Sequence, residues 1–308
     1  MAVAFSGGRD STALLHATAR AARELGLRVI ALHVHHGLMP QADAWLQHAQ
    51  DQCRRWARSG LPVTLLFRRL KGAPAAAQSV EAWARQARYD ALAQMAREGG
   101  APLVLLAHHR QDQAETFLLQ ALRTGSARGL ASMPRQAQRQ GLHWVRPWLD
   151  HEPSAIAAYV RRWRLGHVED GSNADPRFAR SRLRTQVWPA LGEAFPQAGE
   201  RLAAAARRAQ ETAECLAELA AQDTQACAQG GALRREPWLR LSPARRANLL
   251  RHWLAGQSEQ GLPETLVQRL LREWPAARGG ARWPAPWGEL LHRAGALQRA
   301  PEPEPPRA

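Results

Sequence analysis

The first half of the chain alternates short apolar runs with longer amphipathic stretches. The apolar runs are 2–5 (AVAF), 28–34 (RVIALHV), 62–67 (PVTLLF) and 102–108 (PLVLLAH). Each has the length of a strand. Near-continuous apolar character implies burial on both faces, as in a parallel sheet covered by helices. The stretches between and after them, 11–25, 42–58, 79–98 and 112–123, carry apolar residues at helical spacing. Ala13, Leu14, Ala17, Ala21 and Leu25 set the phase of the first. Strands alternating with helices predict an α/β fold built on a parallel sheet. A loop-rich segment follows over 124–150, with a strand near HWVRPWL and a helix around 154–164. From about residue 190 no strand signal is read. Helices are predicted over 199–223, 242–255 and 263–274. The chain is therefore expected to divide into 1–190, a smaller helical domain over 191–300, and a disordered proline-rich tail, 301–308.

In open parallel sheets, ligands bind beyond the carboxyl ends of the strands. Three polar clusters fall at those ends: Ser6-Gly7-Gly8, His33-Val34-His35-His36 and His108-His109. Their agreement in position predicts one crevice. The first cluster lies in SGGRDS, a turn from strand to helix. Glycine allows the sharp bend there, and the free N–H groups of a helix start favour an anion. The same turn also fits a plain connection capped by Asp10 or Ser11. GxxxxGK[ST] and GxGxxG are both absent, and Lys71, the only lysine, lies outside any such context. Asp112 and Glu115, three apart, share one helix face. Such a pair can hold an ammonium and accept a proton from it. Acids at a helix N-terminus also serve as simple dipole partners.

Charge narrows the partner. The formal net charge is +15, almost all of it from arginine, which suits a polyanion such as RNA. Cys53, Cys215 and Cys227 contain no CxxC pair, which argues against a zinc knuckle or a cysteine-held cluster. Three thiols form no disulfide framework and fit a reducing cytoplasm. No apolar run reaches the roughly 18 residues of a membrane span, and no signal peptide is visible. The first strand starts at residue 2 although it should be central. A natural start upstream of Met1 is therefore expected.

SGGRDS resembles the SGGxDS signature of the N-type ATP pyrophosphatases, the PP-loop superfamily. HVHHGL (33–38) with Ala42-Asp43, EAWARQARYDAL (81–92), AHHRQDQAETFLLQALRTG (107–125) and VEDGSNADPRFARSRLR (168–184) resemble, in order and spacing, the tRNA(Ile)-lysidine synthetases. The resemblance implies a PP-loop ATPase domain followed by a helical tRNA-binding domain. It implies an ATP-dependent carbon–nitrogen ligase. Such an enzyme adenylates O2 of the wobble cytidine in the CAU-anticodon tRNA(Ile). L-lysine then attacks C2, giving lysidine, AMP and pyrophosphate, so that the tRNA reads AUA instead of AUG. A homodimer is a candidate assembly.

The resemblance also implies roles. Ser6, Gly7, Gly8 and Ser11 would hold pyrophosphate and Asp10 its Mg²⁺. Ala31 and His33 would lie by the adenine. Arg85, with Arg88 beside Tyr89, would line the nucleotide or RNA side. Asp112 and Glu115 would bind lysine, next to a catalytic His108, and Arg180 would stabilise charge on the transferring phosphate. Asn173 and Asp175 would organise a loop. Two positions depart from the family pattern. Gln111 replaces an aspartate, with an expected loss of ATP affinity if that carboxylate helps hold metal, and Ser181 replaces an asparagine with little expected effect. A 2-thiocytidine-type modifier would need paired cysteines. An amidotransferase-linked synthetase would lack the double-histidine and EDxSN elements.

Overall fold

The computed structural model describes residues 1–37, 40–70, 72, 80–123, 126–169, 177–257 and 262–300. The chain forms two compact units, 1–210 and 211–308. In the first, strand and helix alternate as the hydrophobic pattern predicts: β1 (Ala2–Ala4), α1 (Arg9–Glu24), β2 (Val29–His35), α2 (Ala42–Arg58), β3 (Val63–Arg69), α3 (Val80–Glu98), β4 (Leu103–Leu105) and α4 (Arg110–Arg123). Then come α5 (Ala127–Leu130), the hairpin β5 (Gln136–Arg139) and β6 (Leu142–Val145), and α6 (Pro153–Trp163). A continuous helical stretch follows: α7 (Ala179–Arg182), a π-helical turn over Leu183–Val187, and α8 (Trp188–Ala194).

The sheet order is β3-β2-β1-β4-β6-β5, parallel except for β5. β1 lies inside it, with Ala2 opposite both Ile30 and Val104. Period-two alternation sends its residues to two cores. Val3 packs with Ala31, Leu14, Leu15 and Trp56 against α1 and α2, with Ile156 and Val160 of α6 in the same cluster. Ala2 packs with Leu32, Leu92, Met95, Val104 and Trp144 against α3. A fully buried side chain such as Leu15 contributes roughly 1.5–3 kcal/mol. The chain leaves β1 toward β2 and β3 on one side and returns to β4 on the other. The order therefore reverses between β1 and β4, where a crevice opens at their carboxyl ends.

The long helix α9 (Ala198–Cys227) contains the division between the two compact units. The second unit holds β7 (Ala228–Gln229), β8 (Ala232–Arg234), α10 (Arg235–Leu239), α11 (Pro243–Ala255), α12 (Glu264–Glu273), β9 (Arg282–Ala285), β10 (Gly288–Arg293) and β11 (Ala296–Arg299). Its helices match the expected ones. The expectation that strands cease near 190 fails, because a five-stranded antiparallel sheet, β7-β8-β11-β10-β9, lies here too. Those strands are short and buried at only some positions, so they present no apolar run. Their core is built on tryptophan: Trp238, Trp274 and Trp283 are buried, the first two with ring centroids 4.4 Å apart. The 301–308 segment lies outside the described residues. No described helix is long and apolar enough to cross a membrane.

Candidate active site

The turn from β1 to α1 is shaped by its own serines and glycines. Gly7 has φ +87°, a conformation that disfavours side chains, and an added Cβ would stand 3.2 Å from Val168 Cγ2. The backbone angle favours glycine here, and the close valine methyl adds to that preference. The Gly7 carbonyl accepts from Val168 N at 2.9 Å and from Thr12 Oγ1 at 3.1 Å. Ser11 Oγ donates to the Gly8 carbonyl at 3.0 Å and pairs with Ser6 Oγ at 3.0 Å. Gly8 occupies the N-cap position of α1 and has no side chain to satisfy the first-turn N–H groups. Those donors and the helix dipole point into the crevice, an arrangement suited to phosphate.

Asp10 stands in the same first turn. Its Oδ1 accepts from Arg9 Nε at 2.8 Å, and its Oδ2 lies 3.6 Å from His109 Nε2. Burial raises its carboxyl, but His109 and Arg9 outweigh this and hold it below the ordinary aspartate value. His109 extends the contact to α4. Its Nδ1 accepts from the Asp112 backbone N–H at 3.4 Å, which leaves the ring proton on Nε2, facing Asp10. Its own backbone N–H donates to Asp112 Oδ2 at 3.0 Å. One imidazole therefore lies between the glycine turn and the α4 acids.

Asp112 and Glu115 are both buried, Glu115 completely. Arg184 binds both: Nε donates to Glu115 Oε1 and Oε2 at 2.8 and 2.9 Å, and Nη2 to Asp112 Oδ1 at 2.8 Å. Arg180 Nε lies 3.6 Å from Glu115 Oε2, and its Nη2 donates to Thr116 Oγ1 at 2.6 Å. Among the described residues no group of three or more His, Cys, Asp or Glu forms a metal cage.

His108, at the end of β4, faces a different environment. Burial pushes its pKa down to about 3; Asp112 opposes this, while Arg146, Arg88 and Arg180 reinforce it. Its Nδ1 is buried without a hydrogen-bond partner, as is Arg146 Nε. The ring is neutral near pH 7. In the unfolded chain the same ring takes a proton near pH 6.5. Between those values the unfolded state binds the extra proton, so stability is full above about pH 6.5 and falls as pH drops toward 3. The expected slope is up to about 1.4 kcal/mol per pH unit. Thermal midpoints measured from pH 7 to 4 should flatten in His108→Gln.

Residues 1–191 match the model of the PP-loop domain family, and residues 233–298 match the TilS substrate binding domain. The tRNA(Ile)-lysidine synthase of Alkalilimnicola ehrlichii is 41% identical over 309 residues, 99% of this chain and 67% of that protein. That of Bordetella pertussis is 40% identical over 280 residues, 89% of this chain and 85% of that protein. The chain belongs to the tRNA(Ile)-lysidine synthase family. The Xanthomonas campestris member is 43% identical over 88% of this chain but only 61% of its own length. The chain thus spans about two thirds of the length of these first relatives. A solved structure, the U34-tRNA thiolase NcsA of Methanococcus maripaludis with its [4Fe-4S] cluster, is 13% identical with a TM-score of 0.56. It covers 68% of this chain and 72% of that one, a likeness of fold alone.

Within this lysidine synthase family member, Ser6, Gly7, Gly8, Asp10, Ser11, His108, Asp112, Glu115 and Arg180 gather around the ends of β1 and β4. His33 is buried, its Nδ1 donating to the Phe5 carbonyl at 2.9 Å, and burial lowers its pKa, so it is neutral. Ala31 is not part of this gathering. It is fully buried in the sheet between Val3 and Leu65, with its side chain in the core. His35 turns to Asp43 and Arg69 instead. Arg85 and Arg88 flank Tyr89, 5.3 and 6.0 Å from its ring centroid, and Arg139 approaches the same ring at 5.4 Å. Gln111 donates to Glu115 Oε1 at 3.2 Å, so it supports the acid pair. Ser181 is buried, and its carbonyl accepts from Thr185 Oγ1. Asn173 and Asp175 lie outside the described residues. Arg146 and Arg184 carry no role in the sequence reading, and His109 enters there only as part of a polar cluster at a strand end. The spacing of Arg180 and Arg184, four apart and hence on one helix face, is a signal that could have found Arg184.

Proposed function

We propose that this chain forms lysidine on a CAU-anticodon isoleucine tRNA, with ATP and L-lysine as co-substrates. The junction at His109, between Asp10 and the α4 acids, carries the reading. It joins a turn suited to a leaving pyrophosphate to a pair suited to an ammonium. The family membership supplies the substrates. In the first step, cytidine O2 attacks the α-phosphorus of ATP, the bond to the bridging oxygen breaks, and pyrophosphate departs. Ser6, Ser11 and the N–H groups at the start of α1 receive it. In the second, the ε-amine attacks C2, the C2–O2 bond breaks, and AMP leaves carrying O2. An ammonium is no nucleophile, so lysine must first give up a proton, and Asp112 and Glu115 are the bases at hand. Arg180 and His108 lie beside them, Arg180 as a cation for the phosphate.

Asp10 fits Mg²⁺ as a partly exposed carboxylate kept ionised by its neighbours. Mg²⁺ takes few protein carboxylates and otherwise phosphate oxygens and water. When bound, it would neutralise charge on the pyrophosphate. The test is incubation with ATP, Mg²⁺, labelled lysine and the CAU-anticodon tRNA. Label should enter RNA with one AMP and one pyrophosphate per lysine, and should not enter a tRNA with another anticodon. A chain that binds the tRNA yet releases no pyrophosphate would be a binding protein, and the proposal would fall.

A further inference from the structure

The acid pair of α4 is already filled by a cation of the protein itself. Arg184 reaches both oxygens of Glu115 and one of Asp112. The other positions are taken as well: Gln111 Nε2 donates to Glu115 Oε1, Arg180 Nε lies by Oε2, and the His109 N–H occupies Asp112 Oδ2. Glu115 has no contact with solvent. Glu115 thus has no open approach and Asp112 keeps only a small exposed edge, so an incoming ammonium competes with Arg184 for the pair.

The backbone under Arg184 is suited to such a movement. The residue lies on the π-helical turn Leu183–Val187, between α7 and α8. A π turn holds one residue more than an α turn and is frequent at functional sites. Passing that extra residue along the helix swings a side chain while the flanking turns stay wound. The guanidinium is also about one-third exposed, so its way out is open, while Glu115 beneath it is fully buried and Asp112 nearly so.

We propose that Arg184 is a built-in stand-in for the cationic end of the substrate amine. It balances Asp112 and Glu115 in the free protein and is exchanged for the ammonium when the amine binds. One positive charge leaves as another arrives, so neither buried carboxylate is left bare, a state that is costly. The exchange also selects: a neutral side chain cannot displace a guanidinium held by charge-assisted bonds. This inference rests on the assignment of lysine to Asp112 and Glu115.

The test uses the full chain as wild type, Arg184→Ala and Arg184→Lys. Equilibrium dialysis measures labelled lysine, and thermal unfolding is followed with lysine or with low, non-denaturing guanidinium chloride. Arg184→Ala should melt lower than wild type and recover with either cation. It should bind lysine at least tenfold more tightly than wild type, with guanidinium competing. Arg184→Lys keeps the charge but loses the bidentate hold, and should bind lysine severalfold more tightly than wild type even if the alanine variant fails to fold. Equal or weaker lysine binding in these variants, with guanidinium rescue absent, overturns the exchange and leaves the lysine assignment standing. Recovery of Arg184→Ala by guanidinium and by no amine overturns both.

Discussion

Asp10→Ala should abolish pyrophosphate release while the fold survives. Asp10 is an aspartate of the first turn of α1 with its side chain 29% exposed, so its loss opens no cavity in either core. It gives up one bond from Arg9 and one approach from His109, partly solvated contacts of the kind that contribute roughly 1 kcal/mol or less. Function depends on it far more. If it anchors the Mg²⁺–pyrophosphate, the developing negative charge loses its counter-charge at the moment of bond breaking. Removal of a single preorganised stabilising group costs about 100- to 1,000-fold in rate, and a charged one should cost at least that. Pyrophosphate release with ATP and tRNA present, alongside the thermal midpoint, separates the two effects. Near-wild-type release would reduce Asp10 to a partner that orients His109.

The parts of this protein that could be read in the sequence are those that depend on local pattern. β2 lies inside the sheet and is largely buried on both faces, so it appears as an unbroken apolar run, whereas β3 is the edge strand and shows as a run of β-forming residues although Phe67 is exposed. SGGRDS shows in sequence because the turn needs glycine at a positive φ and hydroxyls within reach of it. The strands β9 to β11 do not show. They carry Pro284, Gly288 and one tryptophan, Trp283, and they pack against α11 and α12 residues such as Leu250 and Leu270. Arg184 stayed hidden for another reason. With arginine so abundant, residue type says little, and only its i,i+4 spacing from Arg180 sets Arg184 apart from its neighbours. Arg182, two residues earlier, is exposed and donates to the Arg177 carbonyl, while Arg184 turns inward to the carboxylates. Ala31 shows how register decides what a strand-end residue can offer: it pairs with Val3, one position before the last β1–β2 pair, so its side chain is in the core and only its backbone lies near the carboxyl end of β1.

Glu115→Gln should damage both stability and amine use while sparing ATP. Glutamine keeps the volume and one acceptor oxygen, so the core around α4 is not opened. What is lost is a fully buried negative charge facing Arg184 and Arg180. Breaking a buried ion pair from one side costs about 3–5 kcal/mol. The lower end applies here because Arg184 keeps Asp112 and is partly solvated. The cost in lysine affinity should be on the order of 2–5 kcal/mol, or about 30-fold and upward. Among the described residues the start of α4 meets the nucleotide turn at His109, which Asp112 holds and this change leaves in place, so ATP affinity should stay within about twofold. Asp112→Asn is the less clean experiment, since Asp112 also accepts from the His109 N–H at the start of α4. The double variant Glu115→Gln, Arg184→Ala supplies the control. If the two side chains act as a pair, removing both should cost less stability than the sum of the single changes, with a coupling of about 1–3 kcal/mol. Additive losses in the cycle, or parallel losses of ATP and lysine affinity in Glu115→Gln, would make Glu115 an organiser of the fold and leave the amine without a binding site on α4.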